Sequence, residues 1–328
     1  MQSDACCLNE RALALVKQLV ADKETLGVEL LSLAGANVLD AGVNYPGSLA
    51  AGRLVAEICL GGLGQVNPVQ LFFPGLTPNA PSFWLPGVQV TVEKPVISCL
   101  ASQYAGWAVE GHGFFALGSG PARALAAKED VFKILAYQEQ ATIGILVLEA
   151  DRLPPDELID ELASDFGLEP KNLWLVVAPT ASIVGSVQIA ARVVETGLHK
   201  LLMLDYDVHQ VKAAYGTCPL APVAADDFTA LGRTNDAVLY GGRCFYFVND
   251  QNDDIEQLMD RVPASASPDW GTPFLQLFKR YGDFYKMDPL LFSPAEIMVN
   301  NAANGKTYRA GKVSPKLLEY SLLGVTAR

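Results

Sequence analysis

Four residues in one stretch of this chain have side chains that could do chemistry at a useful spacing. Gln188, Arg192, Glu195 and His199 follow one another at intervals of 4, 3 and 4 within positions 178–200. On a helix such spacings form one stripe, so Arg192 and Glu195 become neighbours at i and i+3. A carboxylate can accept protons, and a guanidinium beside it favours its ionised form. An ion pair on a solvated face has the same spacing and contributes little to stability. Spacing alone leaves both readings open.

The elements around the pair favour attention to it. Leu173-Trp-Leu-Val-Val-Ala178 is a strand-like apolar run, and Pro179 follows with the hydroxyls of Thr180 and Ser182, which offer helix caps. Ile183, Val187, Ala190, Ala191, Val194 and Leu198 then share a helical face. Turns from strand to helix are where open sheets present ligand sites.

A second stretch, His112-Gly-Phe-Phe-Ala-Leu-Gly-Ser-Gly-Pro-Ala-Arg-Ala-Leu125, runs from a strand into Gly118-Ser119-Gly120. Pro121 suits a first helical position, with Arg123 in the first turn. Such a loop can offer amides to an anion, with Arg123 adding a bidentate contact. A tight turn with Arg123 on the surface explains the same residues. Asp205, Asp207 and His209 admit a metal reading, but alternation along a loop-to-strand edge explains them without one. Leu231-Gly-Arg-Thr-Asn-Asp236 reads as a polar turn, a cap or a substrate loop.

The remaining chain supplies the frame. Helices are expected over 7–21, 49–59, 154–166 and 255–262, and hairpins over 28–41 and 296–310. Strands are expected over 88–92, 96–100, 141–148 and 208–215, with a proline-rich loop or lid over 72–86 and a linker-like stretch over 265–273. The G-x-G-x-x-G dinucleotide fingerprint is absent. Together these elements predict an α/β fold, mixed in α and β, with two domains. Hairpins near both ends predict a discontinuous domain of 1–66 with 271–328, and a middle domain of 67–270.

At 328 residues, with half of them hydrophobic and 18% charged, the composition suits a globular enzyme. A net charge of −12 argues against nucleic-acid binding. No apolar run reaches membrane-spanning length, and Asp4 and Glu10 interrupt any secretory leader. Six cysteines without C-x-x-C spacing fit reduced thiols in the cytoplasm, and three scattered histidines do not suggest zinc.

Several stretches, in this order, resemble the methenyltetrahydromethanopterin cyclohydrolases. They are Asp40-Ala-Gly-Val-Asn-Tyr-Pro-Gly-Ser48, Cys99-Leu-Ala-Ser-Gln-Tyr-Ala-Gly-Trp107, Phe115-Ala-Leu-Gly-Ser-Gly-Pro-Ala-Arg-Ala-Leu125, positions 179–195, Thr234-Asn-Asp236 and Asp283-Phe-Tyr-Lys-Met-Asp-Pro289. The resemblance implies reversible hydrolysis of a methenyl bridge on a reduced pterin, in a pocket enclosed by two α/β domains. It implies no metal, no prosthetic group, a pterin substrate and a homo-oligomer, a trimer. Arg192 and Glu195 match the family's catalytic pair, Glu195 to activate water and Arg192 to tune and orient it. Candidates for holding pterin or tail are Ser119, Gly120, Arg123, Thr180, Ser182, Gln188, Thr234 and Asn235. Tyr104 stands where some relatives carry lysine, and if it faces the substrate tail it favours a tail-shortened, dephospho pterin. Two alternatives are another pterin- or nucleotide-handling hydrolase and a non-catalytic pterin-binding protein.

Overall fold

The computed structural model describes residues 7–75, 82–282 and 286–324. Residues 76–81 of the expected lid and Asp283, Phe284 and Tyr285 of the last motif lie outside the described residues. In chain order the strands are β1 (Glu29–Leu33), β2 (Ala36–Asp40), β3 (Gly64–Phe73), β4 (Phe83–Val92), β5 (Trp107–Gly111) and β6 (Phe114–Ser119). There follow β7 (Gly144–Glu149), β8 (Leu173–Ala178), β9 (Val211–Pro219), β10 (Arg243–Val248), β11 (Glu296–Asn301) and β12 (Thr307–Gly311).

The chain forms two compact units, each with one mixed six-stranded sheet. The first comprises Met1–Gln65 and Ile97–Gln188, and its sheet has the order β1-β2-β8-β7-β6-β5. At its centre β2, β8 and β7 run parallel, and antiparallel strands flank them. Such a centre must be covered on both faces, which its near-continuous apolar strands reflect. Ile145 and Val147 pack with Val16, Leu19, Leu54 and Ile58 of the helices Leu8–Ala21 and Leu49–Cys59. On the other face Leu146 and Leu148 pack with Leu158, Ile159 and Leu162 of the helix Asp156–Asp165. Cutting Leu146, fully buried, back to alanine would cost about 2–5 kcal/mol.

Local signals placed these elements well. Ala34 (φ 47°) and Gly35 (φ 77°) both adopt the left-handed conformation that a two-residue hairpin turn requires. Ser48 starts the helix Leu49–Cys59 by accepting the Ala51 amide at 3.1 Å.

The second unit comprises Val66–Val96 and Ile189–Arg328, with strand order β12-β11-β10-β9-β4-β3. Here β10 and β11 are parallel, while β4, β9 and β10 form antiparallel pairs. The expected domain boundaries are therefore corrected: 1–66 and 271–328 do not fold together. Each terminal hairpin joins a different sheet, because β2 pairs with β8 and β11 pairs with β10. The chain passes between the units three times, after Gln65, after Val96 and after Gln188, the last within the helix Ile183–Ala190.

Four local expectations also change. Positions 96–100 form no strand: Val96–Gln103 is a wide π-type helix, with the Tyr104 amide reaching the Cys99 carbonyl at 2.7 Å. A short apolar run does not by itself distinguish a buried strand from a buried helix. Residues Phe83 to Pro86 of the expected lid belong to β4. The strand expected over 208–215 is displaced to β9, after a short turn over Val208–Gln210. The polar turn expected over 231–236 lies inside the helix Asp227–Gly241. Among the described residues, no helix is long and apolar enough to cross a membrane.

Asp236, on that helix, ties three helices of the second unit together. Its carboxyl accepts the Phe274 amide at 2.9 Å and the Ser321 hydroxyl at 2.6 Å. Burial pushes its pKa up to about 7, above the ordinary 3.8, and the two hydrogen bonds pull against that rise. A raised folded-state pKa means the native state holds more protons than the unfolded state between about pH 4 and 7. This residue's contribution to stability is therefore complete below about pH 4 and is lost as pH rises through 7, a change of a few kcal/mol. Urea unfolding of Asp236→Asn should lack that component. The difference between the parent and variant stabilities should shift steadily against the parent from pH 4.5 to 7.5. A constant difference would show that Asp236 ionises normally.

Candidate active site

In the first unit the parallel strands β2, β8 and β7 end level with one another. The register sets Asp40 beside Val177 and Ala178 beside Glu149. Asp40 is fully buried and accepts the amides of Gly42, Val43 and Asn44 at 3.1, 2.8 and 2.9 Å, and the Asn44 side chain at 2.8 Å. This shapes the loop after β2. A side chain at Gly42 would strike Pro179 and Ser182, so the loop lies close against the turn after β8.

Two predicted residues meet at that edge, through a third that the sequence reading passed over. The Thr180 hydroxyl donates to Glu149 Oε1 at 2.6 Å, and Gln188 Nε2 donates to Glu149 Oε2 at 3.0 Å. Glu149 ends the apolar run of β7. A carboxylate closing a buried strand was the available signal, but it belonged to none of the recognised stretches. Ser182 is used locally: its hydroxyl donates to the Pro179 carbonyl at 2.7 Å and accepts the Gly185 amide at 2.8 Å. It starts the helix Ile183–Ala190.

In the second unit, the helix expected to continue to 200 is interrupted. Residue 192 has φ −78° and ψ −1°, which makes Arg192 the N-cap of a new helix, Val193–Met203. The apolar periodicity runs through the break and so conceals it. Glu195 consequently sits in the first turn, where the unpaired amides of a helix start favour negative charge. Arg192 is only 8% exposed and Glu195 4%, which removes the solvated-face reading.

The start of this helix is fixed against its sheet. The Cys244 thiol donates to the Val193 carbonyl at 2.9 Å, and the Tyr246 hydroxyl to the Val194 carbonyl at 2.8 Å. A Cβ at Gly197 would lie 2.2 Å from the Tyr246 hydroxyl, and one at Gly216 2.8 Å from the Val193 side chain. Both positions need glycine for the close approach that holds Arg192 and Glu195 in place.

The stretch over 118–123 serves the interior instead of an anion. The Gly120 amide donates to the Ser102 carbonyl at 2.8 Å, and the buried Ser119 hydroxyl lies 3.4 Å from the Cys59 sulfur. Arg123 is fully buried. Its guanidinium grips both oxygens of Glu129 at 2.9 and 2.7 Å and donates to the carbonyls of Leu100 and Ser102 at 3.2 and 3.1 Å. Tyr104 and Phe132 each lie 5.3 Å from it. Arg123 thus satisfies carbonyls near the end of the π-type helix, and the four-residue helix that it opens offers no anion cradle. The burial of Arg123 excludes the alternative of a tight turn with this residue on the surface.

Thr234 and Asn235 bond back to their own helix, Thr234 to the Ala230 carbonyl at 2.9 Å and Asn235 to the Leu231 carbonyl at 2.9 Å. Asp207 closes a turn by accepting the His209 amide at 3.1 Å. Among the described residues no three His, Cys, Asp or Glu side chains assemble as a metal site.

Two α/β units, one with a carboxylate at the edge of parallel strands and one with a carboxylate in a helix's first turn, have the layout of an α/β enzyme. Comparison with known proteins makes this particular. A family described as cyclohydrolase (MCH) matches residues 7–322, and the chain belongs to that family. It is 45% identical over 321 residues to a methenyltetrahydromethanopterin cyclohydrolase of Methanocaldococcus jannaschii, covering 96% of this chain and 98% of the relative. Proteins of the same name from Methylobacillus flagellatus and Methanothermobacter marburgensis are 44% and 43% identical. Those matches cover 96% and 95% of this chain, and 94% and 97% of the relatives.

The interior role of Arg123 has a direct consequence. Arg123→Met should destabilise the fold by about 3–5 kcal/mol in urea unfolding, since it leaves the Glu129 carboxylate beside an apolar side chain. A loss below about 1 kcal/mol, with weaker binding only of a phosphate-tailed substrate, would restore the anion reading.

Proposed function

We propose that this chain reversibly hydrolyses the methenyl bridge of methenyltetrahydromethanopterin or its dephospho form. Membership of the cyclohydrolase family supports this reading, and the buried Arg192 and Glu195 supply groups suited to the chemistry. The bridge carbon lies between two nitrogens that share a positive charge, so it is electrophilic in its own right. Water adds to that carbon, one C–N bond opens, and a formyl group remains on the other nitrogen. Glu195 takes one proton from water as hydroxide adds and returns it to the departing nitrogen. The adduct's hydroxyl proton is released to solvent as the formyl C=O forms, so one proton is set free as the substrate cation is neutralised. General-base help of this kind contributes about 10²–10⁴-fold.

Arg192 orients Glu195 and favours its ionised form. It also tempers the attraction between the carboxylate and the cationic substrate. Addition neutralises that cation, so an unmoderated contact would stabilise the ground state more than the transition state.

The tail-shortened pterin is the favoured substrate in this proposal. Tyr104, the position at which the family resemblance implies a lysine in some members, packs here on Arg123, whose charge is committed to Glu129. The reaction so drawn uses no prosthetic group. A cytoplasmic setting is in keeping with the free thiols of Cys7, Cys59, Cys99, Cys218 and Cys244. A homo-oligomer, a trimer, is part of the same proposal. Exposed aromatic side chains support it, because Phe245 of β10 pairs with Tyr215 of β9, and Tyr215 and Phe247 are 39% and 44% exposed.

Glu195→Gln keeps the shape of the side chain and removes its basic oxygen. Its kcat should fall at least 100-fold while KM changes little. Turnover within about three-fold of the parent would remove Glu195 from the mechanism. In Arg192→Ala the acidic limb of the pH–rate profile should move to higher pH, with Arg192→Lys between it and the parent. A limb that stays in place in both variants, with chemistry rate-limiting, would leave Arg192 as an orienting residue only.

A further inference from the structure

The turn between β11 and β12 holds the one Asn-Gly pair in this chain, Asn304-Gly305. An asparagine followed by glycine is the dipeptide most prone to attack itself, because no side chain shields the glycine nitrogen from the asparagine carboxamide. Both residues are exposed here, and a Cβ built at Gly305 would meet nothing within 4 Å. Solvent therefore reaches the reacting atoms. Gly305 has φ 76°, a left-handed conformation that glycine adopts without steric cost.

The reaction needs nothing beyond water. The Gly305 nitrogen gives its proton to hydroxide and attacks Cγ of Asn304. The new N–Cγ bond closes a five-membered imide, the Cγ–Nδ2 bond breaks, and ammonia leaves with a proton taken from water. A second water opens the imide at either carbonyl and leaves aspartate or isoaspartate at position 304. In sum, asparagine and water give the acid and ammonia.

The fold ties up the atoms that must move. The Gly305 amide donates to the Asn301 carbonyl at 2.8 Å, so the nucleophile is engaged, and Asn304 Oδ1 accepts the Lys306 amide at 2.9 Å. Lys306 is held in turn, its Nζ donating to Asp253 at 2.8 Å and to Glu256 at 3.1 Å. Asp253 also accepts the Tyr308 hydroxyl at 2.6 Å and the side-chain amide of the buried Asn301 at 2.9 Å. Donors from Lys306, Tyr308 and Asn301, with a smaller pull from Asn304, hold the Asp253 carboxyl well below the usual carboxylate range. Its negative charge beside the turn opposes a second one on the Gly305 nitrogen.

We propose that Asn304 is a deamidation site whose rate is set by this network, slow in the folded hairpin and fast once the hairpin opens. Edge hairpins open locally at less cost than the whole fold. The product then undoes the network. A carboxylate at position 304 places a like charge near Asp253, and isoaspartate adds a methylene to the backbone between Asn301 and Lys306. β12 lies at the edge of its sheet and pairs there with β11, so this edge loosens first. The modification is independent of the proposed hydrolysis.

The test is peptide mapping by mass spectrometry of the full-length protein after incubation at neutral pH, folded and in urea. In urea Asn304 should convert faster than every other asparagine. Folding should slow it at least about ten-fold, because the hydrogen bonds around it must open first. Asp253 has φ 59°, which asparagine also tolerates, so Asp253→Asn removes the charge and keeps the backbone. Conversion in folded Asp253→Asn should quicken at least about three-fold. Asn304→Asp, which copies one product, should unfold at a lower urea concentration than the parent. Equal rates in the folded and unfolded parent would overturn the proposal, whatever became of the variants. So would another asparagine converting faster in urea, an unchanged rate in folded Asp253→Asn, or a parent-like urea midpoint for Asn304→Asp.

Discussion

The level ending of β2, β8 and β7 is the constraint on which the first unit's chemistry depends. Parallel pairing places Asp40, Glu149 and the turn at Pro179 along one edge, because the three strands share direction and register. Helices cover both faces of this sheet, so its polar chemistry is gathered where the strands stop. Asp40 spends its oxygens on the loop that follows β2. Glu149, held by Thr180 and Gln188, keeps acceptor capacity for something else. A one-residue slip of β7 would exchange the residues facing its two apolar layers and move Glu149 away from Thr180.

The second unit reaches a comparable result by another route. Its carboxylate sits at a helix start, where the break at Arg192 creates the first turn that holds Glu195. Gly197 and Gly216 let this helix approach the sheet, while Cys244 and Tyr246 bond to its first carbonyls. These are interactions of buried neutral groups, each worth about 1 kcal/mol net but costly to leave unmade. They fix a short segment whose ionised groups would otherwise have many rotamers.

The elements readable from sequence were those with local causes. Ala34 and Gly35 announced a hairpin, Ser48 a helix start, and the apolar run ending at Ala178 a buried strand. Arg192 and Glu195 stood out in the sequence as i and i+3 neighbours, but the break between two helices that makes one an N-cap and puts the other in a first turn did not. What could not be read was long-range or degenerate. Which sheet each terminal hairpin joins is decided by the partners β8 and β10, far away in sequence. The run at 96–103 suits a strand as well as a buried helix, and its π-type form is seen only with Ser98 and Ser102 bonded to the Leu60 and Cys59 carbonyls. Arg123 looked like an anion ligand because its spacing after a glycine loop was correct. Its true partner, Glu129, lies six residues onward and outside the motif. Glu149 was hidden for a simpler reason, as one acid at the end of an apolar run.

The central claim is that this chain adds water to the methenyl carbon of a cationic pterin. The amidinium chromophore of that substrate is lost when water adds and the ring opens. Following its absorbance at neutral pH, with the tailed and tail-shortened methenyl pterins in separate assays, tests the claim most directly. The account predicts loss of absorbance at a rate proportional to protein concentration, with the higher kcat/KM for the tail-shortened form. Binding of either pterin with no change in absorbance beyond the uncatalysed rate would contradict it.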